Sequence, residues 1–138
     1  MVQIADLKSG AYWAHMGMDL AVGEQGETLI SMEISSNIKQ FYGYAHGGAI
    51  AGLLDSAIAV AINQQLDPGE GAYTAELKIH YLRLVSDGQL WGEGKVIQKG
   101  KNLIVGQGEI KDNAGQLVAF GTATFILTKV EECGESLR

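Results

Sequence analysis

Residues 46–65 read HGGAIAGLLDSAIAVAINQQ. From Gly48 to Asn63 this is an apolar run of helical length, with one carboxylate, Asp55, in its middle and His46-Gly47-Gly48 at its start. It is apolar on nearly all sides. The spacing therefore predicts a helix over about 48–66 that is enclosed rather than laid on a surface, stopped by Asp67-Pro68-Gly69. The run is shorter than the ~20 residues a membrane span needs, and Asp55 interrupts it. Gly48 and Gly52 form a GxxxG pattern, which carries meaning mainly inside a longer apolar segment. A buried acid is costly unless it is paired, hydrogen-bonded or used. Glycines at a helix start leave backbone N–H groups open to negative charge. An acid and an anion-binding helix end on one segment point to catalysis rather than packing alone.

The flanking sequence supplies strands. A short helix is expected over about 5–15, a strand beginning at 18–21, a turn at Glu24-Gln25-Gly26-Glu27, and a strand over 28–34. Residues 36–47 form a polar, Gly- and Tyr-containing connection. After the helix, 74–82 alternates with Ala75, Leu77, Ile79 and Tyr81 on one face; His80, with Lys78 and Glu76, is expected on the outer face. Further strands are expected over 89–98, 103–111 and 116–129, separated by Lys99-Gly100-Lys101-Asn102 and by Asp112-Asn113-Ala114-Gly115, which has hairpin chemistry. Trp91 and Phe120 read most simply as core or interface residues. Consecutive strands with short turns make a meander whose apolar face must bury against something. The helix is the long apolar element available. The expected class is α+β, a curved antiparallel sheet wrapped around one central helix.

Composition narrows the function. A chain of 138 residues with 46% hydrophobic content suggests one globular domain, its core over about 12–129 and a polar, frayed tail over 130–138. A net charge of −6 argues against nucleic acid as the main partner. Cys133 is the only cysteine, which removes an intrachain disulfide and fits a reducing cytoplasm. The N-terminus lacks the basic start and apolar core of a signal peptide. His15, His46 and His80 show no metal-ligand spacing, so no metal site is expected.

Gln40, His46-Gly47-Gly48, the acid Asp55 within an apolar helix and the four following strands together resemble the hotdog-fold acyl-CoA thioesterases, in particular the phenylacetic-acid-degradation type. The resemblance runs from about Tyr12 to Lys129. It implies the hotdog fold and hydrolysis of a CoA or carrier-protein thioester, with no metal and no cofactor, CoA being part of the substrate. By the same resemblance, Gly47 matches the glycine whose N–H polarises the thioester carbonyl, and Asp55 the helix acid that serves as general base or nucleophile. Gln40 falls where relatives place Asn or Gln near the carbonyl, and His46 matches a supporting histidine. Gly48 belongs to the same substrate-facing motif. Thr74 falls where some relatives place a Ser or Thr that helps hold water. Lys99-Gly100-Lys101 resembles a turn near the nucleotide end of CoA. Lys101 stands where relatives often have Arg, which keeps charge but not planar bidentate recognition.

The residues add their own constraints. Thioester hydrolysis needs an attacking oxygen and a stabilised oxyanion. A helix-start N–H meets the second need, and an acid in an apolar setting, its pKa raised, meets the first. Gly47 and Asp55 are eight residues apart, ~12 Å along one helix, whereas both must lie ~3 Å from one reacting centre. Two antiparallel helices across a two-fold axis satisfy this. A homodimer with composite sites is therefore expected, which many relatives pair into a homotetramer. Blander roles stand beside these: Gln40 as a loop residue, Lys99 and Lys101 as a solvated turn, Tyr42 and Tyr44 as acyl-pocket lining or surface packing. Two other functions also suit the fold, a dehydratase or hydratase and a non-hydrolytic acyl-CoA or aromatic-acid binding protein. The retained Gly47 and Asp55 pair favours hydrolysis.

Overall fold

A computed structural model describes residues 3–130. The tail beyond Val130, with Cys133, lies outside the described residues. Two short helices, α1 (Ile4–Leu7) and α2 (Ala11–Met16), stand where one was expected. The break falls at Gly10, which is extended (φ −69°, ψ 142°) and forms the N-cap of α2. Buried Trp13 fixes α2 to the core. Strands β1 (Met18–Val22) and β2 (Thr28–Glu33) pair antiparallel. A single 3-10 turn at Ser36–Ile38 and a short connection lead into α3 (Gly47–Asn63). Strands β3 (Glu70–Tyr81), β4 (Gln89–Lys99), β5 (Leu103–Lys111) and β6 (Leu117–Lys129) follow. Among the described residues, no helix is long and apolar enough to cross a membrane.

The strands form one curved antiparallel sheet in the order β1-β2-β4-β5-β6-β3, with α3 against its inner face. The expected α+β class holds, but the meander is only partial. β4, β5 and β6 are successive neighbours, while β4 pairs on its other side with β2, and β3 pairs with β6. The reason lies in residues 82–88, which make no tight hairpin. Leu82 and Arg83 donate to the Val118 carbonyl, Val85 accepts from Ala45, and Gly88 accepts from Ile34. The chain is thereby tied across the end of the sheet, from its β6 side to β2, and β3 is left as an edge strand.

A bulge between Thr74 and Glu76 reverses the alternation of β3. Ala72 before it and Leu77 and Ile79 after it all pack against the core, although their numbers differ in parity. Ala75, expected on the inner face, is exposed as the extra residue. Trp91 and Phe120 are likewise outside the core, because their neighbours Leu90, Gly92, Ala119 and Gly121 take the buried positions. Trp91 donates to Asn113 Oδ1 at 3.0 Å. Phe120 stacks on His80 with ring centroids 4.9 Å apart, on the outer face expected for His80.

The inner face of the sheet is cut back to glycine where α3 crosses it. A Cβ at Gly94 would overlap the Ala57 carbonyl oxygen and stand 2.8 Å from Ile58 Cα, both helix backbone. One at Gly108 would meet Leu54 Cδ1 at 2.8 Å. Such contacts leave no rotamer to relieve them at Gly94. Gly94→Ala is expected to destabilise the protein by about 1–3 kcal/mol. The check is urea unfolding, in which the midpoint falls and the slope stays unchanged.

Candidate active site

The start of α3 is built by its cap. His46 is extended (φ −66°, ψ 137°), and its Nδ1 accepts the Gly48 N–H at 2.7 Å. This use of Nδ1 places the ring proton of the neutral imidazole on Nε2. Ala49 and Ile50 both donate to the His46 carbonyl. Of the first-turn donors, the Gly47 N–H is left without a partner among the described residues. It is the group that the positive end of the helix offers to an anion. Gly48 thus seats the cap: a Cβ there would stand 3.0 Å from His46 Nδ1.

Asp55 lies two turns further along α3 and is half-buried. Burial pushes its carboxyl above the ordinary Asp value of 3.8, and a hydrogen bond from Thr74 partly opposes the rise. Thr74 Oγ1 donates to Asp55 Oδ1 at 2.8 Å, which leaves Oδ2 for another partner. The bulge makes this contact possible. Thr74 precedes it and Tyr81 follows it, and strict alternation would put their side chains on opposite faces. Instead Thr74 reaches Asp55, and the Tyr81 hydroxyl donates to the Gly47 carbonyl at 2.8 Å. Tyr81 therefore fixes the peptide that follows the free N–H. Its alternation in the sequence marked it as an inner-face residue and carried no signal of this contact.

Gln40 sits in the loop before α3. Its Oε1 accepts from the Tyr42 N–H, and its NH2 makes no hydrogen bond among the described residues. Lys39 bridges Ala45, so this loop is stitched to the strand segment entering Gly47. Phe41 and Tyr42, edge to face at 5.3 Å, are exposed.

The lysine turn is placed elsewhere. Lys99 Nζ donates to the Gln65 carbonyl at 2.9 Å and pairs with Glu70 at 2.7 Å and Asp67 at 3.4 Å. Glu70 holds the Lys99 ammonium above its ordinary pKa. Lys99 thus ties the end of α3 to β3, with its charge matched inside the chain. Gly100 closes the turn through its N–H to Leu103, and Lys101 is exposed. This turn lies at the C-terminal end of α3, a helix of 17 residues, so about 25 Å of helix separates it from Gly47. Within one chain, Asp55 and Thr74 are brought together, and Gly47, Gly48, His46 and Tyr81 are brought together. The two groups and the lysine turn are not. Among the described residues, no three His, Cys, Asp or Glu side chains converge as metal ligands.

A family model described as Thioesterase superfamily matches residues 42–119. The chain is 23% identical to 1,4-dihydroxy-2-naphthoyl-CoA hydrolase of Listeria monocytogenes over 114 residues, covering 83% of this chain and 93% of that protein. It is also similar to a Bacillus halodurans protein whose crystal structure was solved with CoA. The TM-score is 0.83 at 27% identity, covering 93% of this chain and 90% of that one. A thioesterase from Haemophilus influenzae shares the fold, with a TM-score of 0.85 at 20% identity over 97% of this chain and 96% of that one.

The raised pKa of Asp55 has a consequence for stability. The folded state holds the proton more tightly than the unfolded chain, whose value is near 3.8. Its contribution is therefore fully present below that value and is lost as pH rises through the folded-state pKa. Asp55→Asn keeps the Thr74 contact and removes the desolvated charge. It is expected to melt above wild type at pH 7, with the gain shrinking as the pH falls towards 3.8, as measured by thermal unfolding across pH.

Proposed function

The chain belongs to the thioesterase superfamily, and from that premise we propose that it hydrolyses acyl-CoA thioesters to a free acid and CoA. One observation carries the proposal: a single helix bears both a half-buried carboxylate with a raised pKa and a first-turn N–H that nothing else among the described residues uses. Asp55 Oδ2, the oxygen not held by Thr74, takes a proton from water as the water oxygen attacks the thioester carbonyl carbon. Charge develops on the carbonyl oxygen, where the Gly47 N–H and the helix dipole stabilise it. The Gln40 NH2 adds a second donor. Collapse of the tetrahedral intermediate breaks the C–S bond, and the proton on Asp55 goes to the leaving thiolate. No step is routed through a metal or a cofactor.

The relative named for hydrolysing a dihydroxynaphthoyl-CoA supports a CoA thioester with an aromatic acyl group, and the solved relative with CoA supports the CoA portion. The site is composite in this proposal. The ~12 Å of helix between Gly47 and Asp55 exceeds what one carbonyl spans, so each copy supplies one half to its partner. The free edge of β3, with Tyr73 and Tyr81 64% and 50% exposed, supports pairing of two copies along the strand that carries Thr74.

Asp55→Ala is expected to reduce kcat/KM for a benzoyl-CoA substrate by more than about 100-fold. Gly47→Pro removes the N–H and puts the ring Cδ in its place, while the helix start is kept, because proline suits the first helical position, His46 already has the extended ψ that must precede it, and an added Cβ meets the Tyr81 ring only at 3.5 Å. Its expected loss is ~100- to 1000-fold. Mixed after dissociation, the two variants should recover about a quarter of wild-type activity, since half the dimers are mixed and each of those holds one intact site. A mixture no more active than its parents would place the whole site in one chain.

A further inference from the structure

One peptide at the start of α3 is held by two side chains from different parts of the chain. The peptide joining Gly47 to Gly48 donates its N–H to His46 Nδ1 at 2.7 Å, and its carbonyl accepts from the Tyr81 hydroxyl at 2.8 Å. Both residues that flank this peptide are glycines, which are conformationally loose, and the first turn of a helix lacks the ladder bonds that would steady its N–H groups. A carbonyl oxygen has two lone pairs, so the phenol adds to the helix ladder rather than replacing a bond in it. The tip of the Tyr81 ring also lies against Gly47: a Cβ there would stand 3.5 Å from Tyr81 Cζ. Tyr81 is itself firmly seated. It pairs in register with Ala119 of β6, and the next N–H, that of Leu82, donates to the Val118 carbonyl at 2.8 Å. The phenol therefore runs as a strut from a strand fixed in the sheet to the first turn of the helix.

The free Gly47 N–H lies on the other side of the Gly47 Cα. It belongs to the peptide joining His46 to Gly47, whose carbonyl accepts from Ala49 and Ile50. The backbone is thus held on both sides of the N–H, by the helix through the His46 carbonyl and by Tyr81 and His46 through the next peptide. An oxyanion donor is effective because it is aimed before charge develops, and a donor that wanders must be reorganised at the transition state. We propose that Tyr81 is a positioning residue for the reaction: it holds the Gly47–Gly48 peptide so that the Gly47 N–H is aimed at the developing oxyanion. This rests on the thioesterase function above and adds to it a residue that acts through Gly47 rather than on the substrate. Aim matters most once charge has developed, so the strut acts on kcat and leaves KM alone.

The test is steady-state hydrolysis by wild type, Tyr81→Phe, Gly47→Pro and the double variant, on whichever member of a panel from acetyl-CoA to benzoyl-CoA the wild type turns over best. Phenylalanine keeps the ring against Gly47 and removes the hydroxyl. Tyr81→Phe is expected to lose about tenfold in kcat with KM within about twofold, the worth of one hydrogen bond. On the Gly47→Pro background the same change should cost less than about twofold, because the strut has nothing to aim once the N–H is gone. Hydrogen exchange of the Gly48 amide, followed by NMR, reads the strut without substrate, and its protection should fall about tenfold in Tyr81→Phe. An unchanged kcat, a loss confined to KM, an equal loss on both backgrounds, or unchanged Gly48 protection overturns the role of Tyr81 and leaves the thioesterase function standing. Failure of wild type to hydrolyse any member of the panel overturns that function, and this inference with it.

Discussion

The desolvation of one carboxylate organises much of this structure. Asp55 occupies the middle of a helix whose other residues are almost all apolar, and burial raises its pKa. An ionised acid in such a place requires a donor and some access to water. The fold supplies the donor from Thr74 on β3. It supplies the access by packing only one side of α3 tightly, leaving the side with Gly48, Gly52 and Asp55 half-covered. A helix enclosed on every side would have favoured the neutral acid.

Glycines make the two sides of α3 different in kind. Towards the sheet, Gly94, Gly106, Gly108 and Gly121 let strand backbone approach helix backbone and side chains closely. Away from it, Gly47 presents an N–H and Gly48 admits the capping imidazole. The sheet-side glycines determine how near the helix lies. The helix glycines determine what approaches the free amide. Both sets act by omitting a side chain, so their roles depend entirely on what lies opposite.

The bulge in β3 joins these features. By adding one residue at Ala75 it lets Thr74 and Tyr81, of opposite parity, serve the same helix at positions two turns apart. The same strand lies at the sheet edge, because the segment after it is tied back across the sheet towards β2. One strand thus both holds the acid through Thr74 and leaves its outer edge unpaired among the described residues.

The apolar period of residues 48–63, the glycine start and the Asp-Pro-Gly stop were sufficient to place the helix. The turn chemistry placed β4, β5 and β6 to within a few residues. These are local properties: periodicity, capping and turn residues act over a few positions, so they can be read in order along the chain. The ~12 Å separation of Gly47 and Asp55 follows from helical rise alone. What tertiary structure decided was every relation between segments distant in sequence. The pairing of β3 with β6 rather than β4, the parity change at Ala75, the capture of Lys99 by Glu70 and Asp67, and the reach of Tyr81 to Gly47 each depend on which surfaces meet. No local pattern encodes these, because a bulge, an ion pair or a missing Cβ acquires its role only from the atoms that packing brings opposite it.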